Sequence, residues 1–102
     1  MPRIVVLFNL KQGVSAAEYE AWARGTDAPT VRGLGAVTSF TIHRATGLLG
    51  GGPSPYQYVE VLDFTDMDLL LADISADPMP EIAAAFQAFA DAPHFIVTED
   101  LD

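Results

Sequence analysis

The sequence contains no cysteine. Disulfides and thiolate metal ligands are therefore excluded, and the cytoplasm is the expected compartment. Basic side chains are also scarce, five Lys and Arg against fourteen Asp and Glu, for a formal net charge of −9. None of the five lies beyond Arg44, whereas residues 51–102 carry eleven acids. Nucleic-acid binding needs clustered Lys and Arg to displace counterions, so that class of partner is not expected, and an anionic membrane surface is disfavoured for the same reason. No apolar run approaches the roughly 20 residues needed to span a bilayer. The opening Met-Pro-Arg-Ile-Val-Val-Leu-Phe-Asn-Leu-Lys lacks a small-residue cleavage site and reads as a strand rather than a signal peptide. There are only two histidines, His43 and His94, far apart and outside any H-x-x-E-H-like spacing, so no metal site is expected. Gly50-Gly51-Gly52 is not followed by Lys-Ser/Thr and is no phosphate loop. No dinucleotide or haem motif appears, and no cofactor is expected.

What remains is an apolar, globular composition: 50% hydrophobic residues in a chain of 102, with a mean hydropathy of +0.25. One domain over residues 1–102 with a single modest core is expected. The apolar share is generous for a small monomer, and surplus apolar surface often becomes a subunit interface.

Arg3 to Leu10 is a nearly continuous β-branched run that suits a strand buried on both faces. Ser15 and Glu18 form a capping box, opening a helix that carries Tyr19 and Trp22 and is expected to end near Arg24. Gly25 and Pro29 supply the stop. Val37 to Arg44 alternates as a strand, with Phe40 and Ile42 on one face and Ser39, Thr41 and His43 on the other. The Gly/Pro-rich stretch Gly47 to Pro55 reads as a mobile loop, and Tyr56 to Phe64 as the third strand. A helix from Asp66 through Ile74 stops at Asp77-Pro78, a second runs from about Met79 to Ala90, and Pro93 to Thr98 is the last strand. The order β-α-β-β-α-β is the ferredoxin-like, α+β arrangement of a four-stranded antiparallel sheet beneath helices. Helices cover one sheet face only. The other, with Val5, Leu7 and the Ser39-Thr41-His43 row, is expected to pack against a second copy in a homodimer.

Several segments carry a family resemblance. Leu7-Phe8-Asn9-Leu10-Lys11, Tyr19-Glu20-Ala21-Trp22-Ala23-Arg24, Ser39 to Gly47, Pro55-Tyr56-Gln57-Tyr58-Val59-Glu60-Val61 and Phe86 to Pro93 resemble the REDY-like proteins. Those belong to the dimeric α+β barrel superfamily, beside the EthD and antibiotic-monooxygenase branches. The resemblance implies cofactor-independent chemistry between sheet and helices, in a prodigiosin-type pyrrole-pigment pathway, as cyclisation or condensation of an aromatic or pyrrolic intermediate. One position departs. EthD-type sequences usually carry His in the turn before the proline, where this chain has Asp27, so a mechanism built on that histidine does not transfer.

The proton-handling candidates are His43, Asp27, Glu60 and Tyr58. His43 is either a general base near neutral pH or an inert strand-end residue at a dimer seam. Hairpin pairing is expected to set His43, Thr41 and Ser39 beside Tyr56, Tyr58 and Glu60, with Phe40, Ile42, Val59 and Val61 on the helix side. Asp27, just past the expected helix end, is either a proton carrier raised by the negative end of the helix or a turn-stabilising residue. Tyr19, Trp22, Phe40 and Phe86 are candidate walls for a flat substrate, although most such aromatics simply fill cores. Arg24, Arg32 and Arg44 are able to orient an anionic group, with Arg44 the substrate-binding candidate. Three functions stay open: an acid–base enzyme, a non-catalytic dimeric ligand-binding or stress-response barrel, and a cofactor-free monooxygenase.

Overall fold

The computed structural model describes residues 2–102. Strand β1 (Arg3–Leu10) is followed by a long helical segment, strands β2 (Val37–Arg44) and β3 (Tyr58–Phe64), helices α3 (Met67–Ser75) and α4 (Met79–Phe89), and strand β4 (Ala90–Thr98). The four strands form one antiparallel sheet in the order β2-β3-β1-β4. This is the ferredoxin-like topology expected from the element order.

Local chemistry accounts for the helix starts. Ser15 Oγ accepts the Glu18 N–H at 3.1 Å, and Asp66 Oδ2 accepts the Leu69 N–H at 3.1 Å. Each occupies one of the donors that a helix start leaves unpaired.

The helix expected to end near Arg24 does not end there. It runs as α1 (Ala16–Trp22), a five-residue π-helical turn (Ala23–Asp27) and α2 (Ala28–Arg32). The reason is Pro29. In a continuous α-helix its ring would meet the carbonyl four residues back, and it has no N–H to donate. Widening the turn, with the Ala28 N–H reaching the Ala23 carbonyl, puts Pro29 in the first turn of α2, where that donor is not needed. Gly33, not Gly25, is the C-cap, its N–H donating to the Pro29 and Thr30 carbonyls at 3.2 Å each. The wide turn has a consequence for the interior. It brings Asp27 inward, where it is 5% exposed.

The helices pack on one sheet face. Val6, Phe8, Tyr19, Ala23, Tyr58, Phe86 and Ala90 form one cluster, and Ala28, Val31, Phe40, Met79 and Ile82 a second beside it. On the opposite face Val5, Leu7, Val59 and Val61 stay half-buried, while Ser39, Thr41 and His43 are exposed. The expectation that β1 is buried on both faces therefore holds for its helix side alone within this chain.

Candidate active site

The β2–β3 register decides which polar groups meet. Ile42 pairs with Glu60, Arg44 with Tyr58 and Phe40 with Leu62, whereas His43 pairs with Val59 and Thr41 with Val61. Tyr58 and Glu60 therefore lie on the helix side with Phe40 and Ile42, not beside His43 as expected. The thirteen-residue connection between the strands leaves their register free by one, and one step exchanges every side chain between faces. His43 is exposed on the open face, its Nε2 2.9 Å from Thr41 Oγ1.

Two cavities lie on the helix side. The first, of about 250 Å³, is bounded by the sheet (Val6, Phe40, Glu60, Leu62), by Asp27 and Val31, and by α3 and α4 through Leu70, Met79, Ile82 and Phe86. Its walls are apolar except for the Gln87 side chain and two carboxyls. Glu60, 4% exposed, accepts a hydrogen bond from the Tyr19 hydroxyl at 3.0 Å. Burial, reinforced by the negative charge of Asp27, pushes the Glu60 carboxyl up to about 8; the Tyr19 bond opposes this in part. Burial alone pushes Asp27 up to about 6. The rise expected for Asp27 thus comes from desolvation and not from a helix terminus, since the helix continues past it. Around neutral pH the arrangement favours a proton on Glu60 and a charge on Asp27, as two interacting acids in an apolar site require.

The second cavity, of about 380 Å³, is lined by Tyr19, Glu20, Ala23, Arg24, Ala28, Arg32, Ile42, Arg44 and Tyr58. Glu20 is its hub. It takes hydrogen bonds from the Tyr58 hydroxyl at 2.7 Å and from Arg44 Nε at 2.8 Å, with a further short contact to Arg44 Nη2. Those bonds pull its carboxyl down to about 2. Glu20 was not among the sequence candidates, although its position one turn before Arg24 marks an i,i+4 pair.

The sequence candidates are thus divided. Asp27, Glu60, Phe40 and Phe86 border the apolar cavity; Tyr19, Tyr58 and Arg44 border the polar one. Trp22, expected as a pocket wall, lines neither and instead packs with Phe89 at 5.2 Å and Tyr19 at 6.2 Å between ring centroids. His43 lines neither as well. Among the described residues no group of three potential ligands is arranged to hold a metal ion, and no helix is long and apolar enough to cross a membrane.

With a ferredoxin-like sheet and solved relatives of the HapK and EthD kinds, the chain falls in the dimeric α+β barrel superfamily. The chain belongs to the family described as REDY-like protein HapK, whose model matches residues 2–101. The structure is similar to HapK from Hahella chejuensis, at 29% identity over 99% of this chain and 93% of that one, with a TM-score of 0.82. An EthD-family protein from Bacillus halodurans is 16% identical over 99% of both chains, with a TM-score of 0.80. SnoaB from Streptomyces nogalater, described as a cofactor-independent oxygenase, is 18% identical over 99% of this chain and 93% of that one, with a TM-score of 0.78. No curated protein matches the chain.

Proposed function

We propose that the chain is a small enzyme of secondary metabolism that moves protons, without a cofactor, on an aromatic or pyrrolic intermediate held in the apolar cavity. The observation that carries this reading is the Asp27–Glu60 pair, two buried carboxyls facing one apolar cavity with opposed protonation near neutrality. Asp27 serves as general base and Glu60 as general acid, with Tyr19 orienting Glu60. Phe40 and Phe86 hold the flat part of the substrate. Membership of the HapK family points to pyrrole-pigment chemistry, a cyclisation or condensation, as the setting. His43 falls outside this assignment.

The test is solvent-deuterium incorporation into the methyl group of 2-acetylpyrrole, followed by NMR. Exchange faster than in buffer with equimolar free carboxylate supports the base. Binding without exchange would instead favour a non-catalytic ligand-binding barrel. The likeness to SnoaB motivates a second catalytic reading, in which the same base prepares the substrate for attack on oxygen. Oxygen uptake coupled to substrate loss distinguishes it.

The half-buried Val5, Leu7, Val59 and Val61 also support a sheet-to-sheet homodimer. Sedimentation at micromolar concentration should give about twice the 10.9 kDa chain mass, with an interface above about 1,000 Å². A monomer at that concentration would refute this assembly.

A further inference from the structure

The polar cavity concentrates a scarce resource. The chain has only five Lys and Arg, yet Arg24, Arg32 and Arg44 all line this one cleft. Glu20 is the single acid facing them, which leaves an excess of two positive charges in a protein of net charge −9.

Internal pairing does not account for all three. Glu20 is committed to Arg44 and to the Tyr58 hydroxyl. Arg24 reaches the same carboxylate only at 3.4 Å, and its side chain is 76% exposed. Arg32 is anchored through Nε to the Phe40 carbonyl at 2.9 Å, and makes no other hydrogen bond among the described residues. Its terminal nitrogens, like those of Arg24, are available to a ligand. Guanidinium groups suit this task because their paired N–H donors match carboxylate and phosphate oxygens. The rest of the wall is different in kind. Ala23, Ala28 and Ile42 form small apolar surfaces beside Tyr58, and a flat ring can lie against them.

We propose that this cleft is a binding site for an aromatic anion, with a carboxylate or phosphate head between Arg24 and Arg32 and the ring against Ala23, Ala28 and Ile42. Arg44, locked on Glu20, adds field rather than a direct contact. The long acidic second half of the chain repels anions elsewhere and makes this cleft the favoured place of encounter. The inference stands without the acid–base reading, because the two cavities share no lining residue.

Calorimetry with 1-naphthoate, 1-naphthyl phosphate and the neutral naphthalene-1-carboxamide tests it on the intact protein. The tighter of the two acids should bind at least about tenfold better than the amide at about 50 mM salt, with the advantage shrinking at about 500 mM. Which acid binds better identifies the head group. Arg24→Gln with Arg32→Gln should remove about tenfold of that acid's affinity and leave the amide's unchanged. Lys11→Gln, which removes a positive charge outside the cleft, should leave the preference intact. Equal binding of acid and amide, no binding of either acid at millimolar concentration, or a preference that survives the double substitution would each overturn the proposal. Near-UV circular dichroism confirms that the double variant is folded.

Discussion

Glu60→Gln should raise the melting temperature above pH 8 and flatten the fall in stability expected of the native protein between about pH 4.5 and 8. The sign follows from proton counting. The folded-state carboxyl titrates near 8, against an ordinary value of 4.5. Between these limits the folded chain retains a proton that the unfolded chain releases. Raising the pH therefore favours unfolding, and the stability present below the unfolded pKa is lost as pH passes through the folded one. Glutamine keeps the size and the oxygen that accepts from Tyr19 but carries no charge to desolvate. The gain at pH 9 should be on the order of 2–4 kcal/mol, since each tenfold change in proton affinity is worth about 1.4 kcal/mol. For a domain of this size each kcal/mol moves the melting temperature by roughly 4–8 °C. At pH 5 the two proteins should differ little. A variant that melts lower at every pH would show that Glu60 is buried for packing and is not held protonated.

That pair of carboxyls was only half legible in the sequence. Arg3 to Leu10, the Ser15 and Asp66 caps and the bounds of β2 were readable because hydrophobic period and capping chemistry are local. The register between β2 and β3 was not. Along β3 one row reads Tyr58, Glu60, Leu62 and the other Val59, Val61, Asp63. Each row holds one acid and two residues able to pack, so alternation alone gives no reason to turn Glu60 inward. The long Gly/Pro connection adds no turn geometry that would fix the pairing. Asp27 was concealed in another way. Gly25 and Pro29 signal a helix stop in nearly every context, and a π-helical turn uses the same residues to pass the proline and keep going. Choosing between these outcomes depends on the sheet and α4 packing against α2, through Val31, Phe40 and Ile82. His43 drew attention as a titratable group at a strand end, yet the helix-side cavities are built around acids.

Asp27→Asn separates these assignments most sharply. The substitution preserves shape in the π-helical turn and removes the group able to take a proton. If Asp27 is the base, turnover of any substrate processed by the native protein should fall by about 10²–10⁴-fold, with KM nearly unchanged because Phe40 and Phe86 are untouched. Native activity should be bell-shaped, falling below about pH 6 and above about pH 8, limits that belong to the coupled pair. In the variant the residual activity should lose its alkaline half at lower pH, because the Asp27 charge that helps to hold Glu60 protonated is gone. Stability at pH 7 should rise, since a buried charge has become a neutral amide. Lower turnover with higher stability is not what simple damage to the turn produces, and it marks a destabilised functional group. His43→Gln, on the open face, should keep full turnover per folded protein and, if that face is a dimer seam, weaken association. Full activity in Asp27→Asn together with a 10²-fold loss in His43→Gln would move the chemistry from the helix-side cavity to the open face of the sheet.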